Sequence, residues 1–372
     1  MPELFERTSI NSLELENRAI RSATWSAVCD QKGYVTDRAI EFYSKLASGC
    51  LGLIVTGFQY VMPNSAAMPY QMGNYKDEMV EGLRRLADEI HSKGGKVMGQ
   101  LAHAGSRANP ELFIEEGEVW GPSAVPEPAT GRAPKEMTIE EIASVVDAFG
   151  SAASRIKNSG FDGVQIHGAH GYGINQFLSG FTNRRRDEYG GDISKRYRFL
   201  GEVLEAVRGS VGKDFPVFIK LTGADYYDGG LVLDESLYVA RRLEEDGIDC
   251  IEISAGSRGI PSGLVPSRPN ILHIEDEAYL ADLARSFKET VKVPIITVGG
   301  IRSIEVISRV LSDHFADYVA LCRPLIREPH LLKRWKDGNT EKSTCISCNG
   351  CFETGLSGFG VVCKLDLEKE DK

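Results

Sequence analysis

The segment HGAHGYG, residues 167–173, concentrates the groups best suited to chemistry. His167 and His170 stand three residues apart, and Tyr172 follows two residues later. Two imidazoles on one turn both offer N–H donors, which together polarise a carbonyl or nitro oxygen as charge develops on it. The phenol of Tyr172 is placed to supply a proton. An HxxH pair alone would as readily bind a metal or hold structural backbone groups; the rest of this segment turns the reading toward a substrate-polarising site. A second concentration lies near the end, where Cys345, Cys348, Cys351 and Cys363 are bunched. Without a secretion-type N-terminus, such bunching points to a metal before a disulfide. The spacing suits a [4Fe–4S] cluster, with tetrahedral zinc or metal-free thiols as alternatives. Cys29, Cys50 and Cys250 read as small core or loop residues.

Short β-rich apolar runs at 19–22, 51–56, 96–101, 163–167, 217–221, 250–254, 294–298 and 318–322 read as strands. Most lack a period of two, as strands buried on both faces do. Helical patterns separate them at 36–49, 76–93, 138–160, 194–208, 234–247, 276–290, 303–311 and 328–335. The clearest, 138–160, has a capping box of Thr138 and Glu141 and a stripe that includes Ile139, Ile142, Val145, Val146, Phe149 and Ile156. Strands alternating with helices pair in parallel. Ser22, Gly57, Gln100, His167, Lys220, Ser254, Gly299–Gly300 and Cys322–Arg323 all fall at the C-terminal ends of strands. An open sheet would spread them along a line, whereas a (β/α)8 TIM barrel gathers them around one mouth. The expectation is an α/β chain with one barrel domain over 1–340 and a Cys-rich C-terminal extension over 341–372. The aperiodic segment 103–137 reads as a lid over the mouth, and the last residues, LDLEKEDK, as a frayed charged tail.

The 372 residues carry a net charge of −10, which argues against a broad nucleic-acid surface and fits small-molecule substrates. The N-terminal residues hold no signal-type apolar stretch, and no run of about 18 apolar residues would span a membrane. A cytoplasmic protein with no membrane partner is the expectation.

The 167–191 segment resembles the signature of the Old Yellow Enzyme family of NADH:flavin oxidoreductases. LENRAIRSA at 15–23, QLAHAG at 100–105, VGGIRS at 298–303 and LCRPLIREP at 321–329 resemble other parts of that barrel, in order, from about residue 4 to 336. The resemblance implies FMN at the mouth and NAD(P)H as a transient reductant. Gly299, Gly300, Cys322 and Arg323 would hold the phosphate. Gln100 would meet the pyrimidine edge of the flavin, and Ser22, Ala23 and Thr24 its other edge. Gly57 would leave room for the ring. Lys220 would favour the anionic reduced flavin; pairing with Asp225 or Asp228 is the structural alternative. Many members have Arg at Lys220 and Gly at Cys322, and Trp25 replaces a small hydrogen-bonding residue. The cysteine spacing resembles the trimethylamine dehydrogenase and 2,4-dienoyl-CoA reductase branch. Members of that branch continue into nucleotide-binding domains, whereas nine residues follow Cys363 here.

The implied reaction is reduction of an activated carbon–carbon double bond, with hydride from flavin N5 and a proton from Tyr172. Alternatives are an electron-transfer subunit with a separate redox protein, or a flavin-dependent amine dehydrogenase. A non-flavin barrel with Lys220 as a Schiff-base lysine would leave Gln100 and the His167 segment unexplained. Family members often form homo-oligomers.

Overall fold

The computed structural model describes residues 3–257 and 265–370. Eight parallel strands form a closed ring: β1 (Ala19–Arg21), β2 (Leu53–Val55), β3 (Val97–Ala102), β4 (Gly163–Gly168), β5 (Val217–Thr222), β6 (Cys250–Ser254), β7 (Ile295–Val298) and β8 (Tyr318–Leu321). Each pairs with the next in chain order, and β8 pairs with β1 to close the barrel. The outer ring is α1 (Asp37–Ala47), α2 (Val80–Ser92), α3 (Ile139–Asn158), α4 (Ile193–Val211), α5 (Leu233–Glu245), α6 (Ala281–Lys288), α7 (Ile304–Ser312) and α8 (Leu331–Lys336). Among the described residues, no helix is long and apolar enough to cross a membrane.

The barrel interior explains how the mouth becomes polar. Ile20, Met98, Phe218 and Cys250 belong to one buried cluster, which also packs against Ile10, Leu13 and Leu15. The last three come from an antiparallel hairpin of Thr8–Ile10 and Leu13–Leu15 that the sequence pattern did not reveal. Side chains alternate faces along a strand. The next inward positions are therefore Ser22, Gln100, Lys220 and Glu252. Each of these four strands thus points an apolar residue inward first and a polar residue inward at its C-terminal end.

The capping box of Thr138 and Glu141 is formed, and Ile142, Val145, Phe149 and Ile156 are buried behind it. Ile139, expected in the same stripe, is exposed at the first turn. Three boundaries differ from the pattern. The helix expected at 276–290 begins only at Ala281, because Ala278 adopts a left-handed φ of 52°. The helix expected at 328–335 begins only at Leu331, as α8, and a separate short helix, Arg323–Arg327, precedes it. Pro329 separates the two, since a residue before proline is driven out of helical geometry, and Glu328 sits at φ −129° and ψ 80°. The expected frayed tail contains a helix, Lys364–Glu370. The segment 103–137 holds 3-10 turns at Gly105–Arg107 and Pro110–Leu112, and Trp120–Gly121 pairs with Lys135–Glu136.

Candidate active site

A cavity opens where the C-terminal ends of the strands converge. Ser22, Ala23, Thr24, Gln100, His167, His170, Tyr172, Lys220, Gly299, Gly300, Cys322 and Arg323 all line it. Gly57 does not. Its N–H donates to the Tyr43 hydroxyl at 2.8 Å, and a Cβ there would lie 2.8 Å from the Thr24 carbonyl oxygen. Glycine at 57 thus serves the close passage of β2's exit beside residues 24–25, not the cavity floor.

Beneath the cavity lies a buried polar network. Lys220 Nζ donates to Ser22 Oγ at 2.7 Å and lies 3.1 Å from Glu252 Oε1. Ser22 Oγ donates to Glu252 Oε1 at 2.6 Å, and Gln165 Nε2 donates to Glu252 Oε2 at 2.9 Å. Gln100 Nε2 donates to Gln165 Oε1 at 2.7 Å. Strand register produces the contacts, since Gln100 is level with Gln165 and Lys220 with Glu252. The alternative of Asp225 as the partner of Lys220 does not hold. Asp225 accepts from Ser179, Asn175 and the Leu231 N–H, and burial raises its carboxyl above the ordinary range. Glu252 and Gln165 were missed from sequence. The available signal was a lone polar residue between aliphatics, in VQI and IEI.

His167 and His170 meet edge to face, with ring centroids 5.4 Å apart, and Tyr172 is 5.0 Å from His167. Phe58 packs beside both His167 and Tyr172. His167 Nδ1 accepts the Ala169 N–H at 3.3 Å, so the proton of the neutral ring sits on Nε2. Burial, and then the charge of Lys220, push its pKa down to about 3. His167 is therefore a neutral hydrogen-bond donor at any ordinary pH. His170 is held in a left-handed conformation at φ 62°. Its N–H donates to Thr222 Oγ1, and its Nε2 lies 2.7 Å from Ser254 Oγ. Arg107, from the lid segment, donates to the His170 carbonyl at 2.8 Å and stands 5.9 Å from the Tyr172 ring centroid. It also lies 3.4 Å from Glu127, which is buried and holds the N–H groups of Ala129 and Thr130. Arg107 lacked any sequence signal, because it sits in an aperiodic loop.

At the far end, Gly299 and Gly300 take φ values of 131° and 71°, and the ring of Tyr279 lies against them. Arg302 lines this end, and its buried Nε has no hydrogen-bond partner. Arg323 NH1 donates to the carbonyls of Arg268 and Ser347 and to Asn349 Oδ1. An orphaned guanidinium donor beside two glycines fits a phosphate. A cation and amide donors at the opposite end fit the electron-accepting edge of a flavin. The residues present therefore suit FMN.

The extension completes the wall. Phe352 packs on Trp25 with ring centroids 5.3 Å apart, and the Val361 N–H donates to the Ser26 carbonyl at 2.8 Å. Trp25 Nε1 donates to the Pro69 carbonyl at 2.9 Å, so this side chain is spent on structure. Cys345, Cys348, Cys351 and Cys363 line a second, smaller pocket, and Cys351 lines both. The Gly350 N–H donates to Cys348 Sγ at 3.4 Å, and Arg327 donates to Cys363 Sγ at 3.1 Å. Burial raises the thiols of Cys345 and Cys351, the latter to about 12. Among the described residues, no three His, Cys, Asp or Glu side chains are gathered as a site for a metal ion. The four thiols thus share one pocket, with N–H donors directed at two of them.

Residues 3–342 match the NADH:flavin oxidoreductase / NADH oxidase family. The chain is 36% identical to an NADH oxidase of Thermoanaerobacter brockii, over 94% of this chain and 54% of that protein. It is 35% identical to an NADPH dehydrogenase of Geobacillus sp. (strain WCH70), over 95% of this chain and 98% of that protein. Among solved structures, a 2-naphthoyl-CoA reductase in complex with 2-naphthoyl-CoA superposes with a TM-score of 0.90 at 30% identity, over 97% of this chain and 56% of that one. The chain thus spans about half the length of the NADH oxidase and the naphthoyl-CoA reductase, and nearly all of the NADPH dehydrogenase. On the matched barrel and these identities, the chain belongs to the NADH:flavin oxidoreductase / NADH oxidase family.

Proposed function

We propose that this chain is an FMN-dependent NAD(P)H oxidoreductase that reduces activated carbon–carbon double bonds of α,β-unsaturated carbonyl-type substrates. The observation that carries the reading is the meeting of a neutral His167 donor, His170 and Tyr172 on one wall of the cavity whose floor is Lys220. FMN bound there supplies two-electron chemistry between a nicotinamide and a substrate. Gln100, Ser22 and Lys220 would hold its ring, and Gly299, Gly300, Arg302, Cys322 and Arg323 would surround its phosphate. His167 Nε2–H and the His170 ring orient and polarise the substrate oxygen. Tyr172 delivers a proton from its hydroxyl to the α-carbon. Phe58 and Trp25 exclude water on one side.

The amine-dehydrogenase alternative is weaker on electrostatic grounds. Among the described residues lining the cavity, Arg107, Lys220, Arg302 and Arg323 carry charge and no Asp or Glu does. Such a wall repels a protonated amine. Electron transfer through a cluster is favoured by one observation, that Cys351 touches both pockets. That reading places a [4Fe–4S] group at Cys345, Cys348, Cys351 and Cys363 beside the flavin, serving a separate redox protein.

The test is anaerobic single turnover. NADH or NADPH should bleach the flavin, and 2-cyclohexenone should restore its colour with formation of cyclohexanone. A reduced flavin that no enone, enal or nitroalkene reoxidises contradicts the proposal.

A further inference from the structure

We propose that Glu252 sets the reduction potential of the bound flavin by opposing the charge of Lys220, making it a positioning residue one layer below the cavity. Glu252 is fully buried on β6 and does not line the cavity, whereas Lys220 and Ser22 do. Its Oε1 receives Ser22 Oγ at 2.6 Å and lies 3.1 Å from Lys220 Nζ, and its Oε2 receives Gln165 Nε2 at 2.9 Å. Both carboxylate oxygens are therefore committed to fixed donors, as a buried charge requires.

The consequence concerns sign. A lone buried ammonium beside a flavin would strongly favour the negatively charged reduced form. The Lys220–Glu252 pair is neutral overall and presents its positive end to the cavity. Its pull on the reduced flavin is thus a fraction of that of an unopposed cation, since attraction falls as the opposing charge approaches. Ser22, bonded to both members, keeps the ammonium turned toward the cavity. The barrel obtains a moderately electron-accepting flavin from one cation with a counter-charge behind it.

This inference rests on the reading that FMN occupies the cavity. The experiment is a dithionite titration of the holoprotein against a two-electron reference dye. Glu252→Gln should move the flavin–dye equilibrium at least tenfold toward reduced flavin, about 30 mV for a two-electron couple. A merely structural role would loosen FMN without raising its potential. An unchanged or lowered potential in a folded, FMN-loaded Glu252→Gln protein overturns the proposal. Should that variant fail to fold, the double variant Lys220→Met/Glu252→Gln removes both charges together. It should shift the equilibrium less than tenfold from wild type, because a balanced pair has been deleted. A larger fall toward oxidised flavin shows that Lys220 acts unopposed and refutes the role of Glu252. Failure of the wild-type protein to take up FMN is a different result, and it removes the functional reading itself.

Discussion

The ring centroids of His167, near the C-terminal end of β4, and Tyr172, on the turn that follows, stand 5.0 Å apart, edge to face. One is a fixed neutral donor and the other a phenol, and the proposed reaction divides polarisation and protonation between them. Tyr172→Phe should slow reoxidation of reduced flavin by 2-cyclohexenone by about 100-fold, the usual worth of a positioned acid. Flavin reduction by NADPH needs no such acid and should change far less. Stopped-flow absorbance separates the two half-reactions. Equal slowing of both would show that Tyr172 acts on cofactor binding instead.

The buried histidines predict a pH dependence of stability. His167 is held to a pKa of about 3 and His103 to about 4, both chiefly by burial, against an ordinary value of 6.5. The unfolded chain takes up these protons below pH 6.5, while the folded chain does not until pH 3–4. Their stabilising contribution is therefore fully present above pH 6.5 and is lost as pH falls toward 3–4. By pH 5 the loss is on the order of 2 kcal/mol for each. Urea melts of His167→Asn between pH 7.5 and 5 should show a correspondingly shallower decline than wild type. Parallel declines would mean that His167 is charged in the native state.

Arg107 ties the lid to the catalytic turn through the His170 carbonyl and Glu127. Arg107→Met should lower the rate of enone-driven reoxidation at least tenfold, since small misplacements of a reacting group are costly. Arg107→Lys should recover part of it. The check is kcat against KM for cyclohexenone. A rise in KM alone would make Arg107 a substrate contact and not a clamp.

The barrel was legible because its strands are apolar runs of the right length, and because their polar ends share one topological position. The expected spans 163–167 and 217–221 overlie β4 and β5 almost residue for residue. What escaped was tertiary. Glu252 and Gln165 sit inside strands, where only the closed ring reveals that they face Lys220 and Gln100. Arg302 and Tyr279 acquire meaning from a loop that folds over Gly299. The extension read only as four bunched cysteines and a charged tail after them, yet Phe352 and Val361 close the cavity against Trp25 and Ser26. In the segment 256–275 that follows β6, residues 258–264 lie outside the described residues.

The cluster reading of the four terminal cysteines predicts iron. Protein purified anaerobically should carry iron and sulfide in [4Fe–4S] proportion, with absorbance near 400 nm beyond the flavin bands. Cys345→Ser or Cys351→Ser should abolish that absorbance while leaving FMN in place. Iron-free protein with four titratable thiols after anaerobic purification and reconstitution would refute the cluster.

The most direct test of the whole account is fluorescence titration of the apoprotein with FMN and with riboflavin. An orphaned Arg302 donor beside Gly299–Gly300 predicts one FMN per chain and binding of riboflavin at least 100-fold weaker, the phosphate being absent. No quenching of FMN fluorescence, or riboflavin bound as tightly as FMN, would contradict a flavin phosphate seated at the ends of β7 and β8.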